Sequence, residues 1–108
     1  MILGHMPLPS LSHCQFAVLA AFAGGSALSG RMIRAALKHL GVQQSGPAFY
    51  QLMARLEDAR YVDGWYEQEI VAGQIIRQRH YRITRSGSTA RAEIRHFYAR
   101  AARSLAHG

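Results

Sequence analysis

The sequence has 108 residues, 49% of them hydrophobic, and a formal net charge of +7, which fits one folded domain and excludes a disordered chain. No apolar run approaches the ~20 residues of a membrane span, residues 1–10 lack the basic start of a signal peptide, and Cys14 is the only cysteine. We therefore expect a cytoplasmic, bacterial-type protein without a membrane partner.

The basic residues are Arg-rich and unevenly placed. Lys38 is the only Lys, and residues 77–108 carry eight Arg against Glu93, a net +7. Residues 57–69 carry five acidic residues against Arg60, a net −4. Arg suits phosphates and guanine edges, so this distribution favours nucleic acid as a partner. A soluble protein with a basic surface is the alternative that charge alone leaves open.

Three helices are predicted in the first half of the chain. Residues 11–23 place apolar side chains on one helical stripe, Ser29 caps a second helix that stops at Gly41, and Pro47 suits the first turn of a third. The short link between the last two predicts a helix-turn-helix pair. The expected buried residues are Leu11, Cys14, Val18, Phe22, Met32, Ile33, Ala36, Leu37, Leu40, Phe49, Leu52, Met53 and Leu56.

A β-hairpin is predicted after the third helix. Its strands, residues 62–71 and 75–83, are rich in aromatic and branched side chains, and Ala72-Gly73-Gln74 forms the turn. Alternation predicts that Trp65 or Tyr66 packs inward with two residues of the return strand, Tyr81 and Ile83.

A last helix is predicted from Thr84 onward. Its apolar residues form a narrow seam, flanked by arginines that we expect to be the solvated edge of a dimer helix. A three-helix unit of this size has little room to bury another long helix, so the seam predicts pairing with a second copy. The predicted dimerisation residues are Ile94, Phe97, Tyr98, Ala101 and Leu105.

Several motifs, in this order, resemble the PadR-type winged-helix regulators. They are Phe16-Ala-Val-Leu-Ala-Ala-Phe22 followed by Gly30, then Tyr50-Gln-Leu-Met-Ala-Arg-Leu-Glu57, then Gly64-Trp65 through Gly73 to Tyr81-Arg-Ile-Thr84 and Gly87. The sequence departs from the family pattern at Arg31, Pro47, Gln78 and His80. The resemblance implies a homodimeric repressor that is joined through its last helix.

We therefore predict a mostly α fold with a small β-hairpin, a winged helix-turn-helix with a C-terminal dimerisation helix. Residues 1–10 would form a flexible arm, residues 11–83 the DNA-binding domain and residues 84–108 the dimerisation helix. The expected partner is double-stranded DNA, with the third helix in the major groove and the hairpin on the backbone or minor groove.

The predicted DNA-binding residues lie on the second helix, the third helix and the hairpin. Gln51 can pair with adenine, and Tyr50 either donates to a phosphate or packs on the hairpin. The full set is Arg31, Arg34, Ser45, Ala48, Tyr50, Gln51, Arg55, Gln74, Arg77 and Arg79.

Two of these arginines have alternative partners within the chain. Arg55 either reaches DNA or forms a salt bridge with Glu57 or Asp58. Arg79 either contacts DNA or pairs across the hairpin with the acidic residues of the first strand, which are Glu67 and Glu69.

Two other functions stay open. One is a protein-interaction adaptor on the same fold, and the other is a sensor that binds a planar aromatic effector between the dimer helices, lined by Phe97 and Tyr98. No His pair has zinc-helix spacing, no CxxC exists, and the segment from Gly24 to Gly30 lacks the Lys of a phosphate loop. We expect no enzyme activity, no metal and no cofactor.

Overall fold

The computed structural model describes residues 8–106, so most of the predicted arm (residues 1–7) and residues 107 and 108 lie outside the described part. The elements are α1 (His13–Ala21), a short 3₁₀ turn (Phe22–Gly24), β1 (Leu28–Ser29), α2 (Gly30–His39), α3 (Gly46–Asp58), β2 (Val62–Val71), β3 (Gln74–Ile83) and α4 (Arg85–Ala106). This order confirms the predicted succession of three helices, a hairpin and a last helix.

In the described part of the chain, a hydroxyl side chain caps the start of each α-helix. The Oγ of Ser12, Ser29 and Ser45 accepts a hydrogen bond from the backbone N–H three residues on, and the Oγ1 of Thr84 accepts one from Gly87. Such caps satisfy N–H groups that have no partner inside the helix, and each contributes about 1 kcal/mol. The helix starts therefore follow from local sequence.

The core lies between α1, α2, α3 and the base of the hairpin. The apolar stripe of α3 is buried as predicted, but in α2 only Ile33 and Leu37 are buried. Met32 and Leu40 are exposed, contrary to prediction, because Met32 lies at the edge of the stripe and Leu40 lies past the end of α2. The buried cluster is Val18, Leu19, Phe22, Ile33, Leu37, Phe49, Leu52, Met53, Leu56, Val62 and Tyr81.

The strands form one antiparallel sheet in the order β1-β3-β2. The hairpin turn has two residues, Ala72 (φ 53°) and Gly73 (φ 79°), and Val71 pairs with Gln74. Positive φ at both positions is typical of a type I′ turn, whose twist matches that of the strands. The predicted turn is one residue too long, because Gln74 already belongs to β3.

The start of α4 packs closely on the segment that joins α3 to β2. A Cβ at Gly87 would lie 2.1 Å from the carbonyl oxygen of Tyr61, so only glycine allows this approach. Ile94 is buried within its own chain, which removes it from the exposed part of the predicted seam, whereas Phe97, Tyr98 and Leu105 are exposed. None of the described helices combines the length and apolar character that crossing a bilayer requires.

Candidate nucleic-acid interface

The two faces of the hairpin differ in charge. Residues that pair across antiparallel strands point to the same side of the sheet. One face, here called the inner face, packs its base on the core and carries the pairs Gly64–Tyr81, Tyr66–Arg79, Gln68–Arg77 and Ile70–Ile75. The hairpin carboxylates, Asp63, Glu67 and Glu69, all fall on the opposite, outer face. The inner face is therefore cationic and free of acidic side chains between residues 62 and 83.

The inner face forms one wall of an open cleft, and the first turns of α2 and α3 form the other. Half of the predicted DNA-binding residues meet there. The cleft lining includes Arg31, Arg34, Tyr50, Arg77 and Arg79. These side chains come from three separate elements, so only the tertiary fold collects them.

Arg79 is held at the junction between the hairpin and α3. Its Nη2 donates to the Oε1 of Glu57 at 2.5 Å, and its guanidinium lies 5.0 Å from the ring centre of Tyr66. The alternative pairing of Arg79 with Glu67 or Glu69 is wrong, because those residues lie on the outer face. Burial opposes the charge of Arg79, but the hydrogen bond and charge of Glu57 outweigh it, so the pKa of Arg79 is raised.

Gly64 makes room for this ion pair. A Cβ at Gly64 would lie 2.7 Å from Glu57 Oε1 and 2.8 Å from Arg79 Nη2. The ion pair of Glu57 and Arg79 occupies the space that a side chain at position 64, opposite Tyr81, would fill. Sequence reasoning missed both Glu57 and Gly64, since neither is close to Arg79 along the chain.

Tyr81 lies beneath the guanidinium of Arg79, 5.7 Å from ring centre to Cζ. Burial raises the pKa of Tyr81 to about 12. The phenol is therefore neutral at physiological pH and does not cancel the positive charge of the cleft.

The other arginines of the cleft are held more loosely. Arg31 pairs with Glu69 at 3.4 Å on the surface, and Arg34 donates to the carbonyl oxygen of Gln44 at 2.9 Å. Arg77 lies over the ring of Tyr66 at 4.5 Å and has no acidic partner among residues 8–106. Exposed ion pairs contribute little to stability, so these guanidinium groups keep donors for an external anion.

The remaining predicted residues of α3 lie on its other flank. Ala48, Gln51 and Arg55 line a separate groove against the start of α1. Within the described part of the chain, Arg55 forms no salt bridge with Glu57 or Asp58. The predicted DNA-binding residues of α3 therefore lie on two flanks of the helix, with the arginine-lined cleft on the hairpin side.

The last two assigned residues, Ser45 and Gln74, lie at element ends, and Tyr50 of the cleft packs on its own helix. Ser45 uses its hydroxyl to cap α3, and Gln74 begins β3 beside the turn. Tyr50 is exposed and packs edge-on against Phe49 with ring centres 5.8 Å apart. Its ring therefore rests on its own helix and lines the cleft.

The prediction that Trp65 or Tyr66 packs inward with Tyr81 and Ile83 is wrong. Trp65 lies on the outer face and stacks with His80 at 6.3 Å, and Tyr66 is exposed over the cleft. A three-residue turn would pair Val71 with Ile75 and so set Trp65 opposite Tyr81, whereas the observed two-residue turn sets Gly64 there. A one-residue change in register moves every side chain to the other face.

Three helices followed by a hairpin that pairs with a short strand between α1 and α2 define the winged helix-turn-helix class. No family model matches the chain, and no curated protein is detectably similar in sequence.

Solved structures show a clear likeness. A PadR family transcription regulator from Clostridium difficile superposes with a TM-score of 0.69 at 16% identity, over 87% of this chain and 94% of that one. A PadR-like transcription factor from Bacteroides fragilis gives 0.68 at 15% identity, over 86% of each chain. PadR of Bacillus subtilis, in complex with operator DNA, gives 0.59 at 20% identity, over 75% of this chain and 45% of that one. The fold is that of the PadR-type winged-helix regulators, as the sequence motifs predict.

Proposed function

We propose that this chain is a sequence-specific, DNA-binding transcription regulator that acts as a homodimeric repressor. The observation that carries the proposal is the cleft between the inner face of the hairpin and the first turns of α2 and α3, which gathers Arg31, Arg34, Arg77 and Arg79. The inner face itself carries no carboxylate, and Glu69 of the outer face reaches Arg31 at 3.4 Å. A duplex that receives α3 in its major groove offers phosphates to this cleft. The Bacillus subtilis neighbour with operator DNA supports the same use of the fold.

The proposed contacts divide by chemistry. Arg31, Arg34 and Arg77 bind phosphates, and Tyr50 donates its hydroxyl to another. Gln51, exposed on the flank of α3 that faces the start of α1, reads a base edge and favours adenine. Arg79 aligns the hairpin with α3 through Glu57.

The test is a titration of duplex DNA from the region upstream of the chain's own gene, at several salt concentrations. Arg77→Ala is expected to lower the slope of log K against log salt by close to one unit, because one phosphate contact is lost. Arg82→Ala is the matched control, since Arg82 is on the same strand but on the outer face, above Trp65. Equal slopes for the wild type and Arg77→Ala would contradict the assigned face.

The same titration separates the other functions that the sequence leaves open. An adaptor without DNA binding predicts no duplex affinity at any salt concentration. A ligand-gated regulator binds the duplex and releases it when a planar aromatic is added. For that case Phe97 and Tyr98 supply exposed rings with centres 5.4 Å apart.

A further inference from the structure

The tip of the hairpin carries an exposed apolar pair that the proposed phosphate contacts do not use. Ile70 and Ile75 face each other across the strands on the inner face, and only the pair Val71–Gln74 lies between them and the turn. Their exposed fractions are 77% and 70%. Two branched side chains that stand in water at the end of a long ribbon gain free energy only when a partner covers them.

The chemistry around the pair favours a polyanion as that partner. The next pair toward the core on the same face is Gln68–Arg77, and the nearest carboxylate, Glu69, points to the other side. A protein interface buries about 800 Å² on each partner, much more than two side chains at a narrow tip supply. The minor groove of DNA accepts single apolar wedges between walls lined by phosphates.

The reach of the hairpin fits this groove. Ile75 is six residues from Tyr81, which lies in the core. At about 3.3 Å per residue the strand carries the tip roughly 20 Å outward. Half a turn of B-DNA, the axial step from a major groove to the next minor groove, is about 17 Å.

We propose that Ile70 and Ile75 form an apolar wedge that enters the minor groove beside the site read by α3, packs on its sugars and base edges, and bends the duplex. The inference rests on the proposed function and adds a contact that contains no charge. Arg77, one pair behind the wedge, then lies level with the phosphates of the groove wall. Steps that deform easily, such as TA, are preferred under the wedge.

The first experiment compares the double variant Ile70→Ser, Ile75→Ser with Val71→Ser. Val71 is the matched control, since it is at the same tip on the outer face. The double variant is expected to lose about tenfold in duplex affinity at every salt concentration, because apolar contact area is lost. Its salt slope is expected to stay unchanged, because no charge is removed. The control is expected to bind like the wild type.

The second experiment locates the wedge. Replacing adenine by 2,6-diaminopurine adds an amino group to the minor groove and keeps the major-groove pattern of adenine. We expect weaker binding by the wild type and no change for the double variant. Energy transfer between dyes at the duplex ends is expected to report a smaller bend with the double variant.

The outcomes separate the two proposals. A wild-type chain that binds no duplex overturns the proposed function and the wedge together. Duplex binding that is the same for the wild type and the double variant overturns the wedge alone. So does an equal loss in the Val71→Ser control, which indicates a weakened hairpin, or a changed oligomeric state at unchanged affinity, which indicates that a second copy covers the pair.

Discussion

Two neighbouring arginines of β3 have different roles at the scale of single residues. Arg79 is fixed by Glu57 and by the rings of Tyr66 and Tyr81, and it joins the hairpin to α3. Arg77 is one pair further out and touches only the ring of Tyr66 among these groups. The difference arises because Glu57, near the end of α3, contacts Arg79 and forms no ion pair with Arg77. Arg79 therefore orients the hairpin, whereas Arg77 is available to a ligand.

Gly64→Ala tests the role of the space beside Arg79. The added methyl group displaces the ends of two flexible side chains and not the backbone, so we expect the fold to persist with a loss of about 1 kcal/mol in unfolding free energy. Urea unfolding measures the loss. In a chain that already carries Glu57→Gln, Gly64→Ala should lower the unfolding free energy by less, because the ion pair between Glu57 and Arg79 is already lost.

Gly24→Ala is the control for this cycle, since a Cβ at Gly24 meets nothing within 4 Å. If the changes in unfolding free energy from Gly64→Ala and Glu57→Gln simply add, the space at Gly64 is not needed by the ion pair of Glu57 and Arg79.

At the scale of one element, the hairpin turn contains a residue, Ala72, whose replacement is expected to stabilise the fold. Ala72 has φ 53° in a turn that favours Asn-Gly or Asp-Gly. A residue with a Cβ is strained there, by roughly 1–2 kcal/mol in the left-handed region, and Asn relieves part of that cost. Ala72→Asn is expected to raise the unfolding free energy by about 0.5–1 kcal/mol and to slow amide exchange in β2 and β3.

Gly73→Ala is expected to lower the unfolding free energy, because Gly73 also has a positive φ (79°) and the new Cβ would be strained there. Thermal unfolding of both variants measures the effect. A lower midpoint for Ala72→Asn than for the wild type would contradict the assignment of a type I′ turn.

At the scale of the whole molecule, the second half of α4 exposes a row of large apolar side chains. The first part of α4 is anchored by Ala90 and Ile94 in the core, whereas beyond Ile94 the face carries exposed Phe97, Tyr98 and Leu105. Tyr98 also contacts Phe16 of α1 edge-on, with ring centres 6.4 Å apart, so its own chain covers part of this ring. A homodimer through the exposed row of α4 would present two α3 helices to one duplex.

Phe97→Asp is expected to shift the chain toward monomer, because a buried charge in an apolar seam is unfavourable. Sedimentation velocity measures the change. Duplex affinity should fall by about 100-fold, since the two half-sites are no longer engaged by one linked particle. Ala99→Asp adds the same charge on an exposed side of α4 away from the seam and should leave the dimer intact. A dimeric Phe97→Asp chain would exclude this surface.

Local sequence patterns predict the order of elements, the starts of α2 at Ser29 and of α4 at Thr84, and the buried stripe of α3. Alternation along β3 also predicts that Arg77, Arg79 and Tyr81 share one face. These features depend on hydrogen bonds and periodicities that span only a few residues, so local pattern suffices. The resemblance in motifs also led to the correct fold.

Four features follow only from the packing of distant elements. They are the pairing of Arg79 with Glu57, the need for glycine at position 64, the outward position of Trp65 and the burial of Ile94. Each depends on which faces of distant elements meet, and one residue of turn length reverses the faces of a hairpin. The tertiary structure also divided the polar residues of α3 between two flanks, because the hairpin packs against only one side of that helix.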